Sequence, residues 1–250
     1  MLLRREGDRA LAIGQASHAW ISGQLARAWG NARFPRPEPF EEVCLAAEQH
    51  DVGMAMWDLA PARDPDSGLP YSFMEMPLPI HLGLWSAAPE RLLTQSRLAA
   101  VLVSMHGSRL YRRRKLDELP SDQAAAVRDY LDAQRRFRER VAGDFDELTV
   151  ERASQLIWTW DFLSLAICLD WSGRTAREVP TADGAVDIEI TSAGERRIQL
   201  DPWPFGAGAL TVRCEARRLD GRYDTDEALR AALSSASWKT LEFELLATSA

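Results

Sequence analysis

The sequence predicts a mainly α protein, a helical bundle followed by a C-terminal antiparallel β-sheet, so that the chain is α+β overall. Over residues 1–170, apolar residues recur at steps of three and four, the spacing of one face of an α-helix. Over residues 180–250, they alternate with polar residues, as in half-buried antiparallel strands. We therefore expect a metal-binding helical domain at residues 1–172 and a β-rich appendage at residues 173–250.

The expected helices follow from apolar spacing and from turn residues. The first, at residues 10–29, places His18 in the middle of an otherwise apolar face. The second begins after three prolines with Glu41 and Glu42, whose carboxylates favour the positive end of a helix dipole. Further helices are expected from about residue 81 and at residues 96–113, 122–141 and 153–169.

Three stretches after residue 180 carry an apolar residue at every second position. Each would form a strand with one apolar and one polar face. The apolar residues are Val186, Ile188 and Ile190, then Leu210, Val212, Cys214 and Ala216, and finally Leu241, Phe243 and Leu245. A short helix is expected at residues 225–233. The apolar face could pack on the helices or form a dimer contact, so a homo-oligomer through the C-terminal sheet is one expectation.

The charge balance disfavours two classes of partner. With a net charge of −7, the chain lacks the positive charge that nucleic acids and acidic membrane surfaces attract. Its first residues do not resemble a signal peptide, and the apolar run at residues 153–169 is short for a membrane span and contains Asp161. We therefore expect a cytoplasmic protein that binds neither nucleic acid nor membranes.

Four histidines and two aspartates stand out in the helical part of the chain. A single histidine on an apolar face is more often a hydrogen-bonded core residue than a ligand, and a buried aspartate needs only one partner. Six such residues would need six separate partners, whereas bound metal would account for all of them. The candidate ligands are His18, His50, Asp51, His81, His106 and Asp161.

The order of these residues resembles the HD-domain superfamily, in which helices supply a first histidine, an adjacent His-Asp pair and a distant final aspartate. The two additional histidines resemble its binuclear branch, which includes HD-GYP cyclic dinucleotide phosphodiesterases and mixed-valent di-iron oxygenases such as myo-inositol oxygenase. This resemblance covers residues 10–170 and implies an HD-type bundle. The whole chain also resembles a bacterial family of unknown function, through residues 15–19, 48–53, 104–107 and 160–165.

The resemblance to the binuclear branch implies two divalent or mixed-valent metal ions. Iron and manganese are favoured, and zinc, cobalt and nickel stay open. Asp51 would bridge the two ions. The other ligands would be divided between them, with His18, His50 and Asp161 on one ion and His81 and His106 on the other. If His81 is not a ligand, the site approaches the mononuclear HD pattern.

Polar residues near these ligands are candidates for catalysis and substrate binding. Asp51, Asp161 and Asp58 are the candidate catalytic residues, and Asp161 or Asp58 could assist proton transfer. Serine and glutamine in helices also bond to the helix backbone, which is the alternative role for several of these residues. The candidate substrate-binding residues are Gln15, Ser22, Ser104, Arg109, Trp57 and Ser164.

Three functions are compatible with these residues. The first is a metal-dependent phosphohydrolase or phosphodiesterase acting on a small, anionic molecule, which the superfamily favours. The second is a mixed-valent di-iron oxygenase acting on a small organic substrate, which would use the same ligands. The third is a non-catalytic metal-binding regulatory module whose strands form a partner surface. Ligand types alone do not separate the first two.

Overall fold

The computed structural model describes residues 1–6, 9–141, 143 and 145–248. About half of the chain is helical. The α-helices of the described residues are α1 (Gln15–Ala28), α2 (Phe40–Gln49), α3 (Ala55–Leu59), α4 (Leu78–Ala87), α5 (Arg97–Arg112), α6 (Ser121–Val141), α7 (Glu147–Leu169) and α8 (Asp226–Ser235). Short 3-10 turns at Val52–Met54, Pro89–Leu92 and Leu116–Glu118 connect several of them.

The strands form one curled, seven-stranded half-barrel. They are β1 (Leu2–Glu6), β2 (Arg9–Ile13), β3 (Arg174–Thr181), β4 (Gly184–Gly194), β5 (Arg197–Asp201), β6 (Ala209–Leu219) and β7 (Trp238–Ala247). Their order in the sheet is β1-β2-β6-β7-β5-β4-β3. The β5–β7 pair is parallel, and the other neighbours are antiparallel. The three alternating stretches lie in β4, β6 and β7, as predicted.

The predicted fold class, a mainly α HD-type bundle with a sheet at the C-terminus only, is wrong. Strands β1 and β2 come from the start of the chain, and β2 pairs with β6 in the same sheet as the C-terminal strands. The helix predicted at residues 10–29 begins only at Gln15. The predicted division of the chain at residue 172 stays a prediction.

Strand β2 was not predicted because both of its faces are buried. Leu11 and Ile13 join the main core with the helices, whereas Ala10 and Ala12 pack with Leu229 of α8 on the other face of the sheet. A strand buried on both faces shows a continuous apolar run rather than alternation. Such a run was therefore compatible with the start of an apolar helix.

Four helices meet where the polar candidate residues lie. Helix α1 packs against α2 and α7, and both α2 and α7 also contact α5. The apolar residues between them include Leu25, Val43, Leu102 and Trp160, all of which are fully buried. This packing holds the inward faces of four chain segments, distant in sequence, around one point.

The helices of the described ranges include none that is both long enough and apolar enough to cross a membrane. The predicted cytoplasmic location and the predicted dimer contact through the C-terminal sheet stay predictions.

Candidate metal centre

Five of the six predicted ligands converge at the meeting point of the four helices. Helix α1 supplies His18, the end of α2 supplies His50 and Asp51, α5 supplies His106, and α7 supplies Asp161. All five side chains are buried. They form two overlapping groups whose ligand atoms lie within 4.8 Å of one another, and His50 belongs to both groups.

His50 stands at the centre of the cluster. It is the C-cap residue of α2, and its Nδ1 donates a hydrogen bond to the carbonyl oxygen of Ala47 at 2.8 Å. The ring is thereby turned so that Nε2 faces inward, 3.3 Å from Oδ1 of Asp161 and 3.7 Å from Oδ2 of Asp51. This Nε2 is buried and has no hydrogen-bond partner in the described part of the chain. A ligand nitrogen of a metal site has this arrangement, with its other nitrogen held by the backbone.

His18 is oriented by Ser164, one turn of α7 after Asp161. The Ser164 hydroxyl donates to the carbonyl oxygen of Asp161 at 2.8 Å, so it must accept a hydrogen bond from Nδ1 of His18, also at 2.8 Å. Nε2 of His18 lies 2.5 Å from Oδ2 of Asp51. A cation held beside these two atoms would take the nitrogen and the carboxylate oxygen as ligands.

His106 completes the cluster from the opposite side. Its Nε2 lies 3.6 Å from Oδ2 of Asp161, and its Nδ1 is buried without a hydrogen-bond partner among the described residues. The indole rings of Trp85 and Trp158 contact the imidazole, with ring centroids at 5.5 and 5.6 Å. The aromatic walls fix the plane of the ring and keep water from one side of the cluster.

The electrostatics of the cluster favour a cation. Burial opposes ionisation of Asp51, but His50 and His18 outweigh burial and hold the pKa of this carboxyl well below its usual range. His50 shows the reverse balance, in which Asp51 and Asp161 overcome burial and raise its pKa to about 9. Burial lowers the pKa of His106 to about 4, so this ring stays neutral. Two carboxylates and the neutral His106 ring thus lie close enough together to hold a metal ion, which would displace the proton from His50 on binding.

Replacing Ser164 by alanine is expected to weaken metal binding by about 10- to 100-fold, because His18 loses the group that fixes its ring. Metal titration of the purified variant measures this change. Ser22→Ala is the matched control, since this serine is also fully buried but donates to the carbonyl oxygen of Trp160, at 3.2 Å. Equal metal affinity in the two variants would contradict the role assigned to Ser164.

The structure places His81 on the wall of the same cavity but outside both ligand groups. Its Nδ1 is hydrogen-bonded to the hydroxyl of Tyr111, and its Nε2 accepts a hydrogen bond from the indole of Trp85 at 3.2 Å. Both nitrogens are therefore engaged by protein groups. Burial, the main cause, lowers the pKa of His81 to about 4, which keeps the ring neutral.

A cavity of about 260 Å³ opens above the cluster. Its wall is largely apolar and aromatic, and includes Phe73, Trp85 and Leu165. Gln15 also lines the cavity, and its buried side-chain amide oxygen has no hydrogen-bond partner among the described residues. Arg114, an exposed residue that follows α5, also lines it and stacks on Tyr111 with its guanidinium 5.3 Å from the ring centroid. The cavity thus combines an apolar wall with one cation.

Arg114 lines the cavity but was not among the predicted site residues, although its spacing from His106 was a signal in the sequence. Steps of four from His106 lead to Leu110 and then to Arg114, and both line the cavity. Arg109, one of the predicted substrate-binding residues, is three residues from His106 and lines another cavity beside Trp158. Arg109 lies in α5, whereas Arg114 follows the end of this helix, and the two arginines line different cavities.

The remaining predicted residues lie around the cluster or farther away. Asp58 accepts a hydrogen bond from the backbone N–H of Gln15 and thereby caps the start of α1. Ser104 accepts a hydrogen bond from Arg138 of α6 at 2.9 Å. Trp57 packs beside the apolar cluster that contains Met54. Ser22 bonds to α7, as described above. Gln15 and Ser164 are thus the two predicted substrate-binding residues that the structure brings to the cavity or to a ligand.

The fold and the site define an α+β protein with a buried histidine–aspartate cluster at the base of a small cavity. Residues 1–221 match the model of a family described as a protein of unknown function, DUF3891, and the chain belongs to this family. No curated protein and no solved structure matches the chain. The resemblance to the HD-domain superfamily stays a prediction.

Proposed function

We propose that this protein is a metal-dependent hydrolase of a small anionic molecule, with a phosphate ester as the expected substrate. The observation that carries the proposal is the cluster of three histidines and two aspartates at the base of a cavity whose rim holds Arg114. When bound, a divalent metal would polarise a phosphoryl oxygen and lower the pKa of a water molecule. Iron and manganese remain the favoured ions, and zinc, cobalt and nickel fit the same ligands.

The donor set fits one metal ion more directly than two. His18, His50, His106, Asp51 and Asp161 provide five side chains of the required chemistry. His81 would have to release either Trp85 or Tyr111 before one of its nitrogens could ligate a second ion. We therefore propose a mononuclear centre, to be measured as metal per chain. The binuclear arrangement, and with it the mixed-valent di-iron oxygenase, stays a prediction that needs His81 to move.

In the proposed reaction, different residues would hold the metal ion, bind the substrate and exclude water. Asp51 and Asp161 stay ionised and would hold the ion, while His50 and His18 keep fixed orientations through Ala47 and Ser164. Arg114 can pair with an anionic group at the cavity mouth, because a guanidinium presents two parallel N–H donors to an oxyanion. The apolar wall would exclude water from the rest of the substrate.

The proposal predicts a selective effect of Arg114→Gln on substrate binding. Against a panel of phosphate monoesters, the metal-loaded variant should show a KM raised by about tenfold or more and a nearly unchanged kcat, since one charge-assisted contact is lost. Arg112→Gln is the control, because Arg112 is an exposed arginine at the end of the same helix. A wild-type chain that binds metal but hydrolyses none of the esters would point to the non-catalytic module instead.

A further inference from the structure

A second cavity, of about 300 Å³, lies between α5, α7 and β3. Trp158 belongs to its wall and contacts His106 of the metal cluster, so this indole adjoins both sites. The charged residues of the wall are Arg109, Arg113, Arg177 and Glu178. We call this cavity the arginine groove. Its three cations face one carboxylate, so the groove is a positive region in an acidic protein.

Two guanidinium groups of the groove share one aromatic ring. The guanidinium carbons of Arg109 and Arg113 lie 4.8 and 5.1 Å from the ring centroid of Trp158. Arg109 is half-buried, and its hydrogen bond goes to the amide oxygen of Gln155. Burial and the charge of Arg113 both lower the pKa of Arg109, against the weaker effects of Glu151 and Glu178. In the described part of the chain, neither arginine forms an ion pair with a carboxylate.

The opposite wall of the groove is fixed in shape. Strand β3 has a bulge between Ala176 and Val179, where Glu178 adopts a φ of 55°, in the left-handed region. Gln155 donates hydrogen bonds to the carbonyl oxygens of Arg177 and Glu178, at 3.4 and 3.1 Å, and accepts one from Arg109. The side chain of Gln155 thus connects the bulge in β3 to Arg109, and these hydrogen bonds fix the shape of the groove.

We propose that the arginine groove binds the phosphate group of a small molecule, at a site separate from the metal centre. A doubly charged oxyanion would balance the excess of guanidinium groups and relieve the repulsion between Arg109 and Arg113. Guanidinium forks match the geometry of phosphate oxygens, and the rings of Trp158 and Phe162 offer an apolar surface for the rest of the ligand. Arg109, a predicted substrate-binding residue, would thus bind a ligand in the groove and not in the metal cavity.

Calorimetric titration of the purified chain with inorganic phosphate tests this assignment. Arg113→Gln is expected to weaken phosphate binding by about tenfold or more, because a charge-assisted contact is lost without a change in the buried core. Arg112→Gln, a neighbouring exposed arginine, should leave the affinity unchanged. Arg114→Gln separates the two cavities, because Arg114 lines the metal cavity and not the groove.

The outcomes are distinct. A binding step that Arg113→Gln weakens and Arg114→Gln leaves unchanged supports the groove, and a separate step that only Arg114→Gln weakens belongs to the metal cavity. If that separate step is the only one observed, the phosphate lies in the metal cavity and the proposal is overturned, as it is by the absence of saturable binding in the millimolar range. The titration does not depend on hydrolysis, so its failure is distinguishable from failure of the proposed enzymatic function.

Discussion

Asp51→Asn is expected to lower the affinity of the protein for its metal ion by more than about 100-fold, which exceeds the 10- to 100-fold losses typical of residues that only support a ligand. Asp51 is a buried carboxylate 2.5 Å from Nε2 of His18 and 3.7 Å from Nε2 of His50. Asparagine has the same shape but carries no charge, so the two imidazoles would lose the anion they share. Metal content after purification and metal titration of the stripped protein measure the loss.

The matched control is Asp58→Asn, a second buried aspartate a few residues along the chain. Asp58 accepts a hydrogen bond from the backbone of Gln15 and lies 3.6 Å from the N-terminal ammonium; asparagine keeps the acceptor and loses only this ion pair, which includes no candidate ligand. This variant should bind metal like the wild type. Circular dichroism should show folded chains in both cases. If the folded Asp51→Asn variant kept the full metal affinity, the assignment of Asp51 to the metal site would be wrong.

The cluster of histidines and aspartates was predictable because it depends on local features. Each of His18, His106 and Asp161 is polar within an apolar helical stretch, and His50 with Asp51 ends an amphipathic helix. A helix that buries such a face must bring its polar residue into the core, where it needs a partner. Once four helices share a core, their buried polar residues tend to satisfy one another or a common ion.

Other features depend on contacts between distant segments, which spacing does not show. The sequence places His81 in a helix, but it does not indicate that Tyr111, 30 residues later, would take one of its nitrogens. The N-terminal strands were not predicted because α8, more than 200 residues away in the sequence, covers the second face of β2. The hydrogen bond of His81 and the formation of β2 both depend on tertiary packing, which residue spacing in a single sequence does not show.

Gly53→Ala is expected to destabilise the folded state by about 3 kcal/mol, at the upper end of the cost of adding a methyl group to a packed interior. Gly53 lies in the 3-10 turn that follows Asp51, and a Cβ there would collide with the carbonyl oxygen of Leu84 in α4 and lie 3.0 Å from Cβ of Ala88. A backbone carbonyl within a helix cannot rotate away, so α4 or the turn would have to shift.

Thermal unfolding measures this cost, because about 3 kcal/mol corresponds to a melting temperature lower by roughly 6–12 °C in a chain of this size. Gly83→Ala is the control within α4, since a Cβ at Gly83 would meet no atom within 4 Å. Alanine is the better helix former, so this control should melt at or slightly above the wild-type temperature. If Gly53→Ala melts with the wild type, the turn is not packed against α4 as described. If it melts early, close contact with α4 fixes the turn beside Asp51, and stability and metal affinity should fall together.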